Sequence, residues 1–443
     1  MRVQIFQAWN RIRSSFWFLP SLMAAGAMAL ALVSVALDTP VTDWLRRHWG
    51  VTFNGGAEGA SALLGAIAGS MITLAGVVFS ITLVALSLAS SQLGPRLLRN
   101  FMRDTTTQVV LGTFVATFLY CLLVLRTIRR AEEISFVPHL SVSLGVVLAV
   151  ISVGVLIFFI HHVSVSIQAN EILARVGAEL NGEIDRLFPQ CIGRGMPRNP
   201  SREPEAEFLE QFEQEAMPIE SVADGYLQFV DLNALMELAE QEGLVLRLQR
   251  RPGHYVVATR PLALVWPKDK VNAHLRERIN AAFALGNQRT SGQDIEFAVN
   301  QLVEIAIRAL SPGVNDPFTA MSAVDHLGSA LCRLAGREMT SPYSYDGQGQ
   351  LRLIMSVFSF ADVADAAFNQ IRQQARCSAA VTLRLLETLA VVVGGVHRPE
   401  DRAALLRHAE MIRHGARSGL PEYADRQEVE ARFLSIKRLG GAA

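Results

Sequence analysis

The sequence predicts a membrane all-α unit of four transmembrane helices followed by a cytosolic α+β region, itself a small β-rich module and a C-terminal helical domain. Three observations predict this. First, the 443 residues are 50% hydrophobic but unevenly so: Phe16 to Ile160 is mostly uncharged, and the remainder alternates apolar and charged residues. Second, the early part holds four apolar runs, and a bilayer core about 30 Å thick needs roughly 20 apolar helical residues to cross it. Third, short apolar runs bounded by turn residues fill 213–270, whereas helical spacing dominates from Val271 onward.

The first span covers 16–37, FWFLPSLMAAGAMALALVSVAL. Its apolar run is too long for the core of a cleaved signal peptide, and three more such runs follow it. The second span is centred on 66–90 within an uncharged stretch from Gly59 to Pro95; the third covers 105–125 and the fourth 138–160. With the N-terminus inside, the inner segments carry Arg2, Arg11, Arg13, Arg96, Arg99, Arg103, Arg175 and Arg186. The outer loops carry Arg46, Arg47, Arg126, Arg129 and Arg130. Positive charge favours the cytoplasmic side, and four spans return the chain to its starting side, so both termini are expected in the cytosol. The cysteines agree. Cys121, Cys191, Cys332 and Cys377 form no CxxC pair and no disulfide framework, and lone thiols suit a reducing compartment.

The second span is the most informative. Its 37 uncharged residues exceed one crossing, so the helix must tilt, kink or extend past the bilayer. Ser70, Thr73, Gly76, Ser80, Ser87 and Ser91 recur at steps of three, four and seven and therefore share one helical side. Two readings stand: tight helix packing through small and hydroxyl residues, or a wetted face lining a path in a homo-oligomer. The stripe has no charge and offers no proton relay. In SQLGPRLLRNFMRD, which follows, Arg96, Arg99 and Arg103 flank an apolar face of Leu97, Leu98, Phe101 and Met102. This predicts an interfacial anchor that faces anionic headgroups of the lipid bilayer.

Beyond the fourth span, 161–212 reads as a helical stalk that ends in a linker rich in Pro and charge, RGMPRNPSREPEAE. His161 and His162 are adjacent, so they point about 100° apart and do not grip one ion from one face. In the β-rich module, GYLQFVD reads as a strand. A short helix follows, with Asp231 as N-cap and Gly243 as its stop. LVLRLQR, the RPG turn and HYVVATRPLALVW read as further strands. In 271–443 the clearest helix is Asp294 to Leu310, with Thr290 and Gln293 matching a capping box. Pro312 and Gly313 break it, and Asp316–Pro317 gives an N-cap and first-turn proline for the next helix. Later helical runs are expected over Leu351–Arg376, Ser378–Val393 and Arg402–Lys437.

The stretch RTSGQDIEFAVNQLVEIAIRALSPGVNDPFTAMSAVDHL resembles the signature of a bacterial membrane-protein family, domain of unknown function 2254. The region from Gly69 to Asp104, FIHHVSVSIQ and RPGHYVV are also similar to it, so the resemblance covers nearly the whole chain. It implies an integral protein of the bacterial inner membrane and supplies no catalytic residues.

The elbow gathers Arg308, Ser311, Asn315, Asp316 and Thr319, with Arg289 and Asp294 nearby in sequence. Either these residues satisfy helix ends, or the helix start and a nearby arginine hold a small anionic ligand. No GxxxxGK[ST], GxSxG, HExxH or GxGxxG motif occurs, so no enzyme, cofactor or metal is expected. Lys+Arg and Asp+Glu both number 41, and this neutrality points away from nucleic acid as a partner. The expected function is a homo-oligomeric channel or transport-related protein for an ion or small ligand, with a cytosolic gating or assembly domain. The alternative is a membrane-anchored ligand-binding or scaffold protein.

Overall fold

The structure is a computed structural model and describes residues 16–38, 56–94, 104–131, 134–166, 168–188 and 203–441. Arg96, Arg99 and Arg103 lie outside the described residues. The chain divides into two compact units, one ending at Glu171 and one running from Ile172.

The first unit contains α1 (Phe18–Ala36), α2 (Ala57–Leu93), α3 (Thr105–Thr127) and α4 (His139–Ser166). All four are long and apolar enough to cross a membrane. α3 packs against each of the others, and the antiparallel pair β1 (Arg129–Ala131) and β2 (Ile134–Phe136) lies between α3 and α4. One core layer is built on Ala31, Ala60, Leu64, Tyr120 and Val124. A second is built on Met71, Val78, Leu111, Phe114 and Phe159. The α1–α3 approach needs glycine at 112, where a Cβ would lie 3.2 Å from the Pro20 Cα. The overlong second span is one uninterrupted helix of 37 residues.

The second unit opens with α5 (Ala169–Leu187), which buries Ile172, Leu173, Val176, Leu180 and Ile184. A single stalk helix running on from the fourth span is not what forms, because α4 stops at Ser166. Instead α5 is docked by its apolar face, and Asp185 pairs with Arg333 and Arg337.

Then follow α6 (Ala206–Glu215), β3 (Met217–Glu220), β4 (Gly225–Val230), α7 (Leu232–Glu242), β5 (Val245–Leu248), β6 (Tyr255–Val256), β7 (Pro261–Trp266), α8 (Ala273–Ala281) and β8 (Phe283–Gly286). Asp231 caps α7 by accepting from Ala234 N–H, and Gly243 ends it in the left-handed region at φ 62°, as the sequence predicts. HYVVATRPLALVW divides between two sheets, β6–β4–β8 and β3–β7–β5–β10–β9. β9 (Tyr343–Tyr345) and β10 (Leu351–Ile354) come from the sequence read as helical, and β10 runs parallel to β5. The run expected as a helix from Leu351 therefore begins as a strand. Leu353 and Ile354 bury there, and Leu353 joins Leu227, Leu246, Val265 and Ile279 in the core between strands and helices.

The helical layer comprises α9 (Ile295–Ala309), α10 (Pro317–Ala335), α11 (Phe360–Gln374), α12 (Ala379–Gly395), α13 (Pro399–Gly419) and α14 (Tyr423–Gly441). α9 packs on α10 and α11, α10 on α12, and α12 on α14. The single run expected over Arg402–Lys437 is two helices. Pro421 has no N–H to continue the ladder, and the chain turns between Gly419 and Tyr423.

Candidate functional site

The predicted stripe on α2 lies on one exposed side. Ser70, Thr73, Gly76, Ser80, Ser87 and Ser91 are all exposed, whereas Ala60, Leu64, Ala68, Met71, Ala75 and Val78 are buried against the bundle. At 3.6 residues per turn the two sets fall on opposite sides of the helix. Packing among the described residues therefore does not account for the stripe. A Cβ added at Gly65, Gly69 or Gly76 would meet nothing within 4 Å. The hydroxyls of Ser70, Thr73 and Ser80 donate to the carbonyls of Ala66, Gly69 and Gly76, four residues back on the same helix. They are hydrogen-bonded without another helix.

Polar groups absent from the sequence reading hold the bundle core. Tyr120 donates to the Ser141 carbonyl at 3.0 Å and shares a 3.0 Å hydrogen bond with the Ser34 hydroxyl. The Ser141 hydroxyl also reaches Ser34, and Thr117 meets Ser152 at 3.2 Å. Asp38, buried, accepts from Leu140 N–H at 2.7 Å. Asp104 caps α3 through Thr106 N–H and lies 2.8 Å from His162 Nε2. A serine in an apolar run signals little in one dimension; only the packing shows which hydroxyls face each other.

At the elbow the structure shows helix caps. Asp316 accepts from Phe318 and Thr319 N–H and from the Thr319 hydroxyl, and the Thr319 bond is the main cause holding its carboxyl below the usual range. Asn315 takes a left-handed conformation, φ 49°, and its N–H donates to the Ser311 carbonyl. The Ser311 hydroxyl bonds the Arg308 carbonyl at 2.6 Å. Val314 and Phe318 stand exposed at this turn.

Arg289 and Asp294 do come together, but away from the elbow. The Arg289 guanidinium grips the fully buried Asp294 carboxylate through two bonds of 2.7 and 2.8 Å. Burial opposes the charge on Arg289, and pairing with Asp294 more than restores it, raising its pKa. Asp294 is also the true cap of α9, accepting from Phe297 N–H. The expected capping box is absent: Gln293 instead exchanges two hydrogen bonds with the backbone of Val230, and Thr290 donates to Gln228. The RPG turn closes over this pair. Gly253 has φ 96°, and a Cβ there would run into the Asp294 carboxylate. Two of the sequence's most distinctive segments thus meet at one buried ion pair.

Beside that junction is a cleft of about 330 Å³, lined among others by Arg251, Glu296, Asn300, Phe358, Asp362, Asp365 and Gln370. Arg251 comes from the RPG turn, Glu296 and Asn300 from one face of α9, and Asp362, Asp365 and Gln370 from α11. The Arg251 guanidinium lies 3.9 Å from the Phe358 ring centre, and its Nε is buried with no hydrogen-bond partner. Next to it, burial and then the charges of Arg251 and Arg250 push the His254 pKa down. Behind Asp365, the fully buried His408 has Nε2 at 2.8 Å from its carboxylate. Among the described residues no three His, Cys, Asp or Glu gather as metal ligands would.

Four helices long and apolar enough to cross a membrane, followed by an α+β unit, define an integral membrane protein. The chain belongs to the predicted membrane protein family known as domain of unknown function 2254, whose model matches residues 13–391. It is 31% identical over 430 residues to uncharacterized proteins of Mycobacterium bovis and Mycobacterium tuberculosis, covering 94% of this chain and 79% of each relative. No solved structure matches it.

Proposed function

We propose that the protein works as a homo-oligomer in the bacterial inner membrane, with both termini cytosolic. The outward faces of α2 from neighbouring copies line a shared path for an ion or small solute. The soluble unit assembles or gates it, without catalysing a reaction. The supporting observation is the placement of small and hydroxyl residues on the side of α2 opposite the bundle. A helix side that meets only lipid gains nothing from Gly65, Gly69 and Gly76, whereas one that meets its own copy gains close approach. A closed ring sets one face of each α2 at the common axis. Cysteines introduced at Thr73 or Ser80 in purified protein should cross-link between copies, and vesicles holding it should pass ions. Absence of cross-linking with intact protein would overturn the assembly. An intact oligomer without flux under voltage or tension would overturn the path.

The cleft favours a second reading, a membrane-anchored ligand-binding protein. It predicts that a ligand raises the melting temperature of the whole protein and that Ser80→Leu leaves this untouched.

A further inference from the structure

We propose that the cleft between α9 and α11 binds a small zwitterion, an amino acid or dipeptide with a free ammonium and a free carboxylate. This rests on and deepens the ligand-binding reading. The volume of about 330 Å³ falls at the small end of ligand pockets.

The charges choose the class. Each carboxylate on the cleft wall has a guanidinium beside it: Glu296 with Arg289 at 3.3 Å, Asp362 with Arg251 at 3.8 Å, and Asp365 with Arg407 at 2.6 Å. With Asp294, which shares Arg289, four carboxylates stand against three guanidiniums, so a phosphate dianion meets net negative charge and a polyamine brings more positive charge than is left to offset it, while a ligand of zero net charge adds none.

The same charges are separated in space, which suits a ligand with two ends. Arg251 is the guanidinium on the cleft wall itself, since Arg289 and Arg407 are not among the lining residues. Its Nη1 lies 3.8 Å from Asp362, too long for a hydrogen bond; its Nε is buried away from the cleft, so its terminal nitrogens are the ones that can donate there. It therefore has donors left over, and a carboxylate accepts from a guanidinium better than a neutral group does. Because Arg251 lies over Phe358, that ring face is closed to a stacked base. Glu296 and Asp365 supply acceptors for an ammonium. Asn300 and Gln370 add side-chain amides with no partner among the described residues, suited to a peptide or side-chain amide.

The test is calorimetry on the full chain in nanodiscs with the free proteinogenic amino acids, alanyl-alanine and alanyl-glutamate. N-acetylated and C-amidated forms serve as controls. At least one zwitterion should bind at millimolar concentration or below, and each blocked form should bind at least about tenfold more weakly. Asn300→Leu and Gln370→Leu, which fill the cleft without touching an ion pair, should each remove binding while keeping the wild-type melting curve. Arg251→Gln should weaken the zwitterion by about tenfold and leave its amide unchanged. Equal binding of blocked and free forms, or binding that survives both leucine substitutions, overturns the proposal. If a sugar or nucleotide panel binds instead and Asn300→Leu abolishes it, the zwitterion assignment falls and the ligand-binding reading stands. If nothing binds, both fall.

Discussion

The two units bury polar groups of different kinds. In the membrane unit they are mainly neutral hydroxyls bonded across helices, Ser34, Tyr120 and Ser141, with Asp38 and Asp104 placed against helix N-terminal N–H groups. In the soluble unit they include ions matched by arginine: Asp294 with Arg289, Arg337 with Asp185, and Asp401 with Arg398. A hydroxyl in hydrocarbon needs one partner, whereas a charge there costs several kcal/mol even when placed well. Each unit orders its core with the polar group its surroundings tolerate. Against both, the α2 stripe stands out, because the hydroxyls of Ser70, Thr73 and Ser80 bond carbonyls of their own helix.

The sharpest way to break this contrast is Asp294→Ala. It strands a half-buried guanidinium and removes the α9 cap, so the soluble unit should lose about 3–5 kcal/mol. Chemical denaturation followed by Trp266, the single tryptophan of that unit, would measure it. A loss below about 1 kcal/mol would mean that the pair is not ordering the core.

The next largest effect is pH dependence through His408. Burial, with Arg407 and Arg372 nearby, holds its pKa down to about 4 despite the Asp365 carboxylate beside it. The unfolded chain then takes up the proton first, near pH 6.5. Its contribution is full above about pH 6.5 and is lost as pH falls toward 4, amounting to about 3 kcal/mol. His408→Gln should flatten the stability profile across that window; an unchanged slope would remove His408 as its source.

Tyr120→Phe tests the hydroxyl side. Losing the bonds to Ser34 and Ser141 should cost the membrane unit about 1–2 kcal/mol, read as a lower melting temperature in detergent. The smallest effect belongs to the stripe. Ser70→Ala or Ser80→Ala should change the stability of a single copy by less than about 0.5 kcal/mol. A larger loss in a dilute, monomeric preparation would mean that the stripe serves the fold after all.

Much of this architecture was legible from residue chemistry. Span lengths follow from bilayer thickness, and Asp231, Gly243 and Asp316–Pro317 each act as their types predict. The misreadings share a cause. Gln293 has a capping residue's identity but spends its amide on Val230, a partner 63 positions away. Leu351–Ile354 becomes a strand because β5 offers an edge, and local periodicity contains no trace of β5. The cleft was hidden for the same reason. Arg251, Glu296 and Asp365 are dispersed in sequence and ordinary one by one, and only the packing of α9 on α11, with the RPG turn against Asp294, makes them neighbours. At the elbow both readings were visible from the same residues, and the Asp316 caps form as the residue types predict.

The length of α2 has a mechanical consequence. At 1.5 Å per residue its 37 residues reach about 56 Å, and to fit wholly within a core of about 30 Å it would have to lean nearly 60°, beyond the roughly 0–40° that membrane helices adopt. Some of it therefore stands outside the hydrocarbon at any allowed tilt. From Gly59 to Leu93 it has no charge to mark where the hydrocarbon begins, so sliding along the bilayer normal drags no ion through lipid. Its depth is set by the grip of its neighbours in the bundle, and a change in that grip would be free to become an axial displacement.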